Sequence, residues 1–177
     1  MSVNDLRARR ASEGGSMLVE FAIILPILGA LLIGMLTGGM AYSRKLALTN
    51  GAREGGRYGA TLPLQNFATP DAWLDEVSNV AVHAVDDGLP SNASGRVVCV
   101  AYVHPDGSGV DGTLRRYEAS GLVTYDPGQK CFDDSRPSSE RRVQILLKRN
   151  TDLNALIYRH QVGLTGKSVA RFEALAG

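Results

Sequence analysis

The sequence predicts an α+β fold, in which a long N-terminal helix precedes a small domain with an antiparallel sheet. One observation is the absence of charged side chains from Phe21 to Ser43. A second is the stretch from Trp73 to Ala84, where apolar residues recur every three or four positions. A third is a series of short alternating segments divided by Pro, Gly and Asp, which is typical of antiparallel strands. Helices followed by strands indicate an α+β domain.

The charge-free run is long enough to span a membrane. At ~1.5 Å rise per residue, Phe21 to Ser43 crosses a hydrocarbon core of ~30 Å. Pro26 lies inside the run and lacks a backbone N–H, which predicts a kink or local melting. Basic residues flank both ends of the run, so the positive-inside rule does not give its orientation.

Two other interpretations of this run stay open. It is also compatible with a buried helix of a soluble protein. A cleaved secretory signal is the second alternative, although the run is longer than the ~7–15 residues of such a segment. The basic start of such a signal would be Arg7, Arg9 and Arg10. Its small-residue cleavage site would be Gly39, Met40 and Ala41.

The start of the run carries a glycine and an acid. Gly15 precedes Ser16, and Glu20 is the fifth residue after Gly15, directly before Phe21. A carboxylate costs up to ~2.5–3.5 kcal/mol at the centre of a membrane helix, so it usually has a partner. This arrangement resembles type IV prepilins, and the resemblance implies that a prepilin peptidase cuts between Gly15 and Ser16.

The resemblance gives Glu20 a partner as well. Cleavage creates an α-ammonium on Ser16, and in a fibre of parallel helices that charge would face Glu20 of a neighbouring subunit and set the axial register. The alternative is that Glu20 lies at the level of the lipid headgroups.

A narrower resemblance extends along the helix. The segment SMLVEFAIILPIL, from Ser16, and the segment AYSRKLALTNGAREGGRYGA, ending at Ala60, are similar to the TadE-like family. Those proteins are minor pilins or pseudopilins of the tight-adherence (Tad) pilus. A fainter similarity covers Arg142 to Glu173 and implies a strand, a short helix near Leu153 to Tyr158, and a final strand. Residues 62–141 show no specific resemblance.

Small residues form a ridge beyond the apolar run. They recur every four positions and therefore share one face of a helix: Ala47, Gly51, Gly55 and Gly59. Because each Gly costs ~1 kcal/mol against Ala in a helix, the ridge predicts close approach by another helix. Gly34 and Gly38 repeat the spacing inside the run. A glycine-rich hinge or a frayed helix end is the alternative.

Further elements are expected after Leu62. Thr69, Pro70 and Asp71 signal the start of an amphipathic helix that ends before Gly88. Four strand candidates follow: Arg96 to His104, Gly121 to Tyr125, Arg141 to Arg149 and Gln161 to Phe172.

Cys99 and Cys131 are the two cysteines of the chain. An exported domain meets an oxidising environment, where a bridge between them would stabilise the fold by roughly 3–4 kcal/mol. They are also compatible with two small buried hydrophobic side chains.

Composition argues against several functions. The chain has 19 Lys and Arg against 18 Asp and Glu, without a long block of one sign, so we expect no nucleic-acid partner. His83, His104 and His160 have no ligands at zinc spacing, and no nucleophile elbow or phosphate-binding loop is present. The segment from Asp106 to Gly112 lacks the spacing of a calcium loop and predicts a turn. We therefore expect no enzyme, cofactor or metal.

The predicted organisation has three parts: a cytoplasmic leader (1–15), a membrane helix with its extension (16–61), and an exported α+β domain (62–177). The resemblance implies a type IV pilin-like architecture and a minor pilin or pseudopilin needed to assemble a Tad/Flp-type pilus. It would cross the inner membrane once, with its C-terminal domain outside. The implied partners are the prepilin peptidase, other pilin-like subunits, the Tad machinery and the lipid bilayer.

Two alternatives to this function remain. One is a membrane-anchored extracytoplasmic binding domain that never enters a fibre. The other is a secreted enzyme, released by cleavage near Ala41.

Overall fold

The computed structural model describes residues 3–86, 96–105, 109–117, 120–155 and 158–173, and the side chains of 15–85, 96–105, 109–117, 120–152 and 160–173. The helices are α1 (Val3–Thr61), a 3-10 turn (Leu64–Asn66) and α2 (Pro70–Asp86). The strands are β1 (Val97–Val103), β2 (Gly112–Tyr117), β3 (Leu122–Pro127), β4 (Arg142–Ala155) and β5 (Tyr158–Arg171).

Helix α1 is continuous over 59 residues. It passes through Pro26 without interruption, so of the two expected effects the local melting is wrong, and the kink stays a prediction. Proline removes one backbone hydrogen bond, but the turns on either side keep theirs and hold the helix together. Within the described residues, α1 is the one helix long and apolar enough to cross a membrane.

Helix α2 begins where the sequence predicts. The N–H of Ala72 donates to Oγ1 of Thr69 at 3.2 Å, which caps the first turn. Trp73, Val77 and Ala81 are fully buried on one face of α2, as the apolar spacing requires. The predicted end near Gly88 lies outside the described residues.

The five strands form one antiparallel sheet in the order β3-β2-β1-β4-β5. The two helices lie on the same face of this sheet, with α1 on β4 and β5 and α2 on β1 and β2. Alternate residues of β1 and β4 fill the core beneath them: Val98, Val100, Tyr102, Val143, Ile145 and Leu147. The predicted α+β class is confirmed.

Two local predictions differ from the structure. Strand β2 was not expected, yet it pairs with both β1 and β3. The short helix implied near Leu153 to Tyr158 is wrong, because β4 continues to Ala155 and β5 starts at Tyr158, with Ala155 paired to Tyr158. The backbone of Leu153–Ala155 pairs with that of Tyr158–His160, which leaves no free backbone groups there for a helical turn.

Candidate processing and helix-packing site

The segment around Gly15 is helical and exposed. A Cβ built on Gly15 meets no atom within 4 Å, and Phe21 is 62 % exposed. Glu20 is exposed too, and within the described part of the chain no basic side chain pairs with it. The acid therefore has no partner inside the described chain.

The exposed part of α1 is strongly apolar. Its large side chains project from the domain, and Met17, Met35 and Leu36 are 75 %, 72 % and 68 % exposed. Leu48 is the first fully buried residue of the described helix. The part of the helix before Leu48 is thus apolar and exposed, whereas the part from Leu48 onward packs in the core of the domain.

The glycine ridge lies where α1 packs on α2 and β4. A Cβ on Gly55 would stand 2.6 Å from Cβ of Ala81 and 2.8 Å from Cδ1 of Ile145. A Cβ on Gly51 would meet Cγ2 of Val85. Side chains have no room at these positions, so hydrogen atoms of glycine let the two helices approach.

The remaining ridge positions divide into two groups. Gly59 packs on Val77, with a built Cβ at 3.1 Å from Cγ1, and Ala47 borders the core. Gly34 and Gly38 have nothing within 4 Å of a built Cβ. The ridge beyond the apolar run is therefore filled within this chain, whereas the pair inside the run faces open space.

The opposite face of the sheet is crossed by the segment 128–141. Cys99 of β1 and Cys131 of this segment form a disulfide, with 5.8 Å between their Cα atoms. Oε1 of Gln144 accepts the N–H of Cys131 at 3.1 Å. The bridge and the buried amide hold the segment against β1 and β4.

Asp134 is the polar centre of this crossing. Its Oδ2 accepts hydrogen bonds from Nε of Arg142 at 2.8 Å and from Nε2 of Gln144 at 2.6 Å. The side chains of Asp134 and Arg142 are both 5 % exposed. Burial acts to raise the pKa of the Asp134 carboxyl, but the bonds from Gln144 and Arg142 outweigh it and lower that pKa.

A second polar group ties α2 to the edge of the sheet. Asp75 pairs with Nη2 of Arg116 at 3.0 Å and accepts the hydroxyl of Tyr125 at 2.5 Å. The bond to Asp75, together with burial, raises the pKa of Tyr125 to about 12. Neither this group nor that of Asp134 was predicted, because no motif places these residues together in the sequence.

No metal-binding arrangement occurs among the described residues, where three or more His, Cys, Asp or Glu never gather at ligand distance. Asp111 accepts the backbone N–H of His104 at 2.8 Å, so its carboxylate bonds the protein backbone. Residues 106–108 of the predicted turn lie outside the described residues.

Comparison with known proteins finds a similarity in the N-terminal region. The family model described as TadE-like protein matches residues 15–57. No curated protein and no solved structure matches the chain. The match begins at Gly15 and includes the exposed apolar part of α1 and most of the glycine ridge, which together fit a single-pass membrane protein with a C-terminal domain. Through residues 15–57 the chain is similar to the TadE-like proteins, a family associated with the Tad pilus.

Proposed function

We propose that this chain is a minor pilin or pseudopilin needed to assemble a Tad/Flp-type pilus, and that a prepilin peptidase of the inner membrane trims it after Gly15. The observation that carries the proposal is Glu20. It is an acid at the start of a membrane-length helix, five positions after a glycine, without a basic partner in the described chain.

The proposal gives this acid a partner. Cleavage after Gly15 frees the α-amino group of Ser16, which is positively charged at neutral pH. Within one helix the ammonium and Glu20 are separated by about one turn, so an axial shift between two parallel helices brings them together. A pair in a low-dielectric environment strongly disfavours other registers, since a shifted helix leaves a buried charge unpaired.

The exposure of α1 supports the same function. Large side chains such as Phe21, Ile27 and Leu36 have no partner inside the described chain and need lipid or other helices. Gly34 and Gly38 are open as well, which allows a neighbouring helix to approach closely. The domain at the other end of α1 stays folded on its own core, so the helix can move from lipid into a helical bundle without refolding it.

The proposed action is assembly, and it involves no catalytic step. The runner-up, a membrane-anchored binding domain, would use the same helix as a permanent anchor. The two functions differ in processing and in incorporation into pili, and both can be measured.

Paired glycine variants test the processing step. Gly15→Val blocks cleavage, because a branched side chain then stands at the scissile bond, whereas the control Gly14→Val changes the neighbouring glycine and leaves cleavage intact. A Cβ at Gly15 meets no described atom within 4 Å, so we expect the variant to leave packing unchanged. Electrophoretic mobility in cells with and without the peptidase reports the result. Cleavage of Gly15→Val to the same extent as Gly14→Val contradicts the proposal.

Sheared pili test incorporation. The wild-type chain is expected either to be present in the sheared pilus fraction or to be required for a normal yield of pili. A deletion strain is expected to lose pili. Unchanged piliation in the deletion strain, with the chain retained in the membrane fraction, favours the anchored binding domain instead.

A further inference from the structure

The sheet has two open edges. Strands β3 and β5 are its outermost strands, and among the described residues no other strand pairs with their outer sides. The backbone N–H and C=O groups along such an edge are available to a strand of another chain. Strand β3 has 6 residues and β5 has 14, so the longer edge can accept the whole of the shorter one.

The two edges lie at the same level of the sheet. Each row of paired residues that crosses the sheet joins one residue of β3 to one residue of β5. The first row consists of Leu122, Tyr117, Val97, Lys148 and Thr165. The last row consists of Pro127, Gly112, Tyr102, Val143 and Ala170. The whole of β3 is therefore level with residues 165–170 of β5.

Strands β3 and β5 also run in the same direction. Four antiparallel pairings separate them, so the strand direction is reversed four times and thereby restored. A second copy that lies beside the first in the same orientation offers its β3 to β5 as a parallel strand. Chains that cross one membrane through α1, with their domains on the same side, have this common orientation.

Side chains of both edges project from the face of the sheet opposite the helices, which we call the outer face. The hydroxyl of Tyr125 bonds a carboxylate of α2, so Leu122 and Asp126 project from the outer face. Lys167 of β5 lies over the ring of Phe132 in the crossing segment and is on the outer face too. Leu122 is 54 % exposed, and a neighbouring β5 would cover this apolar side chain.

The edge formed by β3 carries acids without a cation. Asp71 of α2 and Asp126 border one cleft beside this edge, and within the described chain neither has a basic partner at ion-pair distance. The nearby cations are engaged inside the chain. Lys130 lies 3.8 Å from Asp111, and Arg115 donates to the carbonyl of Lys130 at 3.3 Å. This edge can therefore accept cations from a neighbour.

The edge formed by β5 supplies such cations. Lys167 and Arg171 are exposed, and no acid of the described chain lies within ion-pair distance of either. Arg141 borders the same cleft as Arg171 and adds a further positive charge. The rows of the sheet place Asp126 at the level of Val169, two positions from both Lys167 and Arg171. Asp126 of a neighbouring copy would therefore lie between these two cations.

We propose that copies of this chain associate side by side, with β3 of one copy added to β5 of the next as a parallel strand. The sheet then continues from domain to domain. Pro127 has no N–H, so the added pairing covers Leu122–Asp126 against Thr165–Val169. The contact uses a different surface on each copy, so it can propagate along an assembly. The inference rests on the proposed function, because it takes the copies to be neighbours in one assembly.

Cysteine cross-linking of the full chain in membranes tests the contact. Leu122→Cys and Thr165→Cys place thiols at one level on the outer face of the two edges, and the two native cysteines are already joined in a disulfide. Oxidation with copper phenanthroline should convert the chain that carries both changes into a ladder of dimers, trimers and larger species. Each single variant alone should stay monomeric. A mixture of the two single variants, with different tags, should give the mixed dimer and nothing larger.

The matched control combines Leu122→Cys with Arg57→Cys. The side chain of Arg57 is 81 % exposed on α1, which belongs to neither edge, so this pair should give no ladder. The proposal is overturned if the variant with both edge cysteines stays monomeric. It is also overturned if the control gives a ladder of equal intensity.

A charge exchange tests the register. Asp126→Lys, added to the edge cysteines, should reduce the cross-linked fraction roughly two- to fivefold, the worth of an exposed ion pair, because it sets a cation between those of the neighbour. Adding Lys167→Asp to the same chain should restore the yield. An unchanged yield with Asp126→Lys, or no recovery in the combined variant, contradicts the proposed contact.

The first residue of the mature chain is measured in the same samples. A chain that starts at Ser16 and gives no ladder refutes the contact between edges and leaves the proposed function standing. A chain that keeps its leader and still gives the ladder contradicts processing as a pilin and leaves the contact standing. The two failures are therefore distinguishable.

Discussion

At the residue scale, Glu20 and Gly55 are the most informative positions. The proposed role of Glu20 and the packing of Gly55 both depend on a group that lies on another helix or strand. Glu20 was identified from its position relative to Gly15 and the charge-free run. The four-residue spacing of small residues indicated close packing around Gly55, but it did not name the partner. The structure places Ala81 of α2 and Ile145 of β4 there. Contacts between residues so far apart in the chain cannot be predicted from local sequence.

Replacing the acid tests its role in register. Glu20→Ala is expected to leave membrane insertion intact, since removing a charge favours transfer into lipid. It should reduce incorporation into pili, because the ammonium of Ser16 then lacks its partner. Immunoblots of membrane and sheared fractions measure both quantities. Glu54→Ala, which removes an exposed acid of the same helix, is the control. Normal incorporation of Glu20→Ala would show that the register role is wrong.

Replacing a ridge glycine tests the packing. Gly55→Ala gains ~1 kcal/mol of helix propensity, yet its methyl group overlaps Ala81 and Ile145, and such overpacking costs ~1–3 kcal/mol. We expect a net decrease of roughly 1 kcal/mol in the free energy of unfolding, measured by denaturant titration in detergent. Gly34→Ala should show no decrease, since its methyl group meets open space. Equal stability of the two variants would contradict the close approach.

At the element scale, the predictable parts were those with a regular pattern. Helix α2 has an N-cap and apolar residues at helical spacing, and both signals are local. Strand β2 was missed because Arg115 and Arg116 interrupt its alternation. Their guanidinium groups bond the carbonyl of Lys130 and the carboxylate of Asp75, which are contacts supplied by other elements.

The length of the β4–β5 hairpin was also missed. Beyond Leu147 the strands carry polar residues such as Asn150 and Asp152, which resemble a loop in the sequence. Their strand conformation is maintained by the ladder between β4 and β5 and by the contact of Thr151 with Arg44. Cross-strand pairing of this kind depends on register, which local propensity does not determine.

The crossing segment 128–141 depends on a buried ion pair. Asp134→Asn removes the charge that faces Arg142, and breaking such a pair costs ~3–5 kcal/mol because the remaining ion is buried. Thermal unfolding of Asp134→Asn should therefore occur at a clearly lower temperature, whereas the exposed neighbour Asp133→Asn should unfold as the wild type does. Identical unfolding of both variants would contradict the role of the pair.

The same carboxyl predicts a dependence on pH. Its pKa in the folded protein lies below the ordinary value of 3.8, so its contribution to stability is fully present above that value. The contribution is lost as the pH falls through the lowered pKa. Acid titration of wild type should therefore lose stability below that value, and Asp134→Asn should lose less over the same range. Parallel curves would refute the assignment.

At the scale of the whole molecule, one helix joins two environments. Its exposed apolar part has the composition of a membrane span, and its buried part belongs to the core of the α+β domain. The sequence predicted this division well, since charge and hydropathy change sharply after Ser43. The packing of the helices on the sheet depends on contacts between distant parts of the chain, which the sequence did not reveal. The family match does not cover the sheet, because it ends at residue 57, before the first strand.

The central claim is that this chain is processed as a pilin, and the mature N-terminus tests it most directly. Mass spectrometry of the chain, purified from cells that contain a prepilin peptidase and a Tad system, should find a first residue of Ser16. The same chain from cells without the peptidase should retain the residues before it. The account would be contradicted if the protein purified from peptidase-containing cells still gave, at full abundance, a peptide that spans the bond between Gly15 and Ser16.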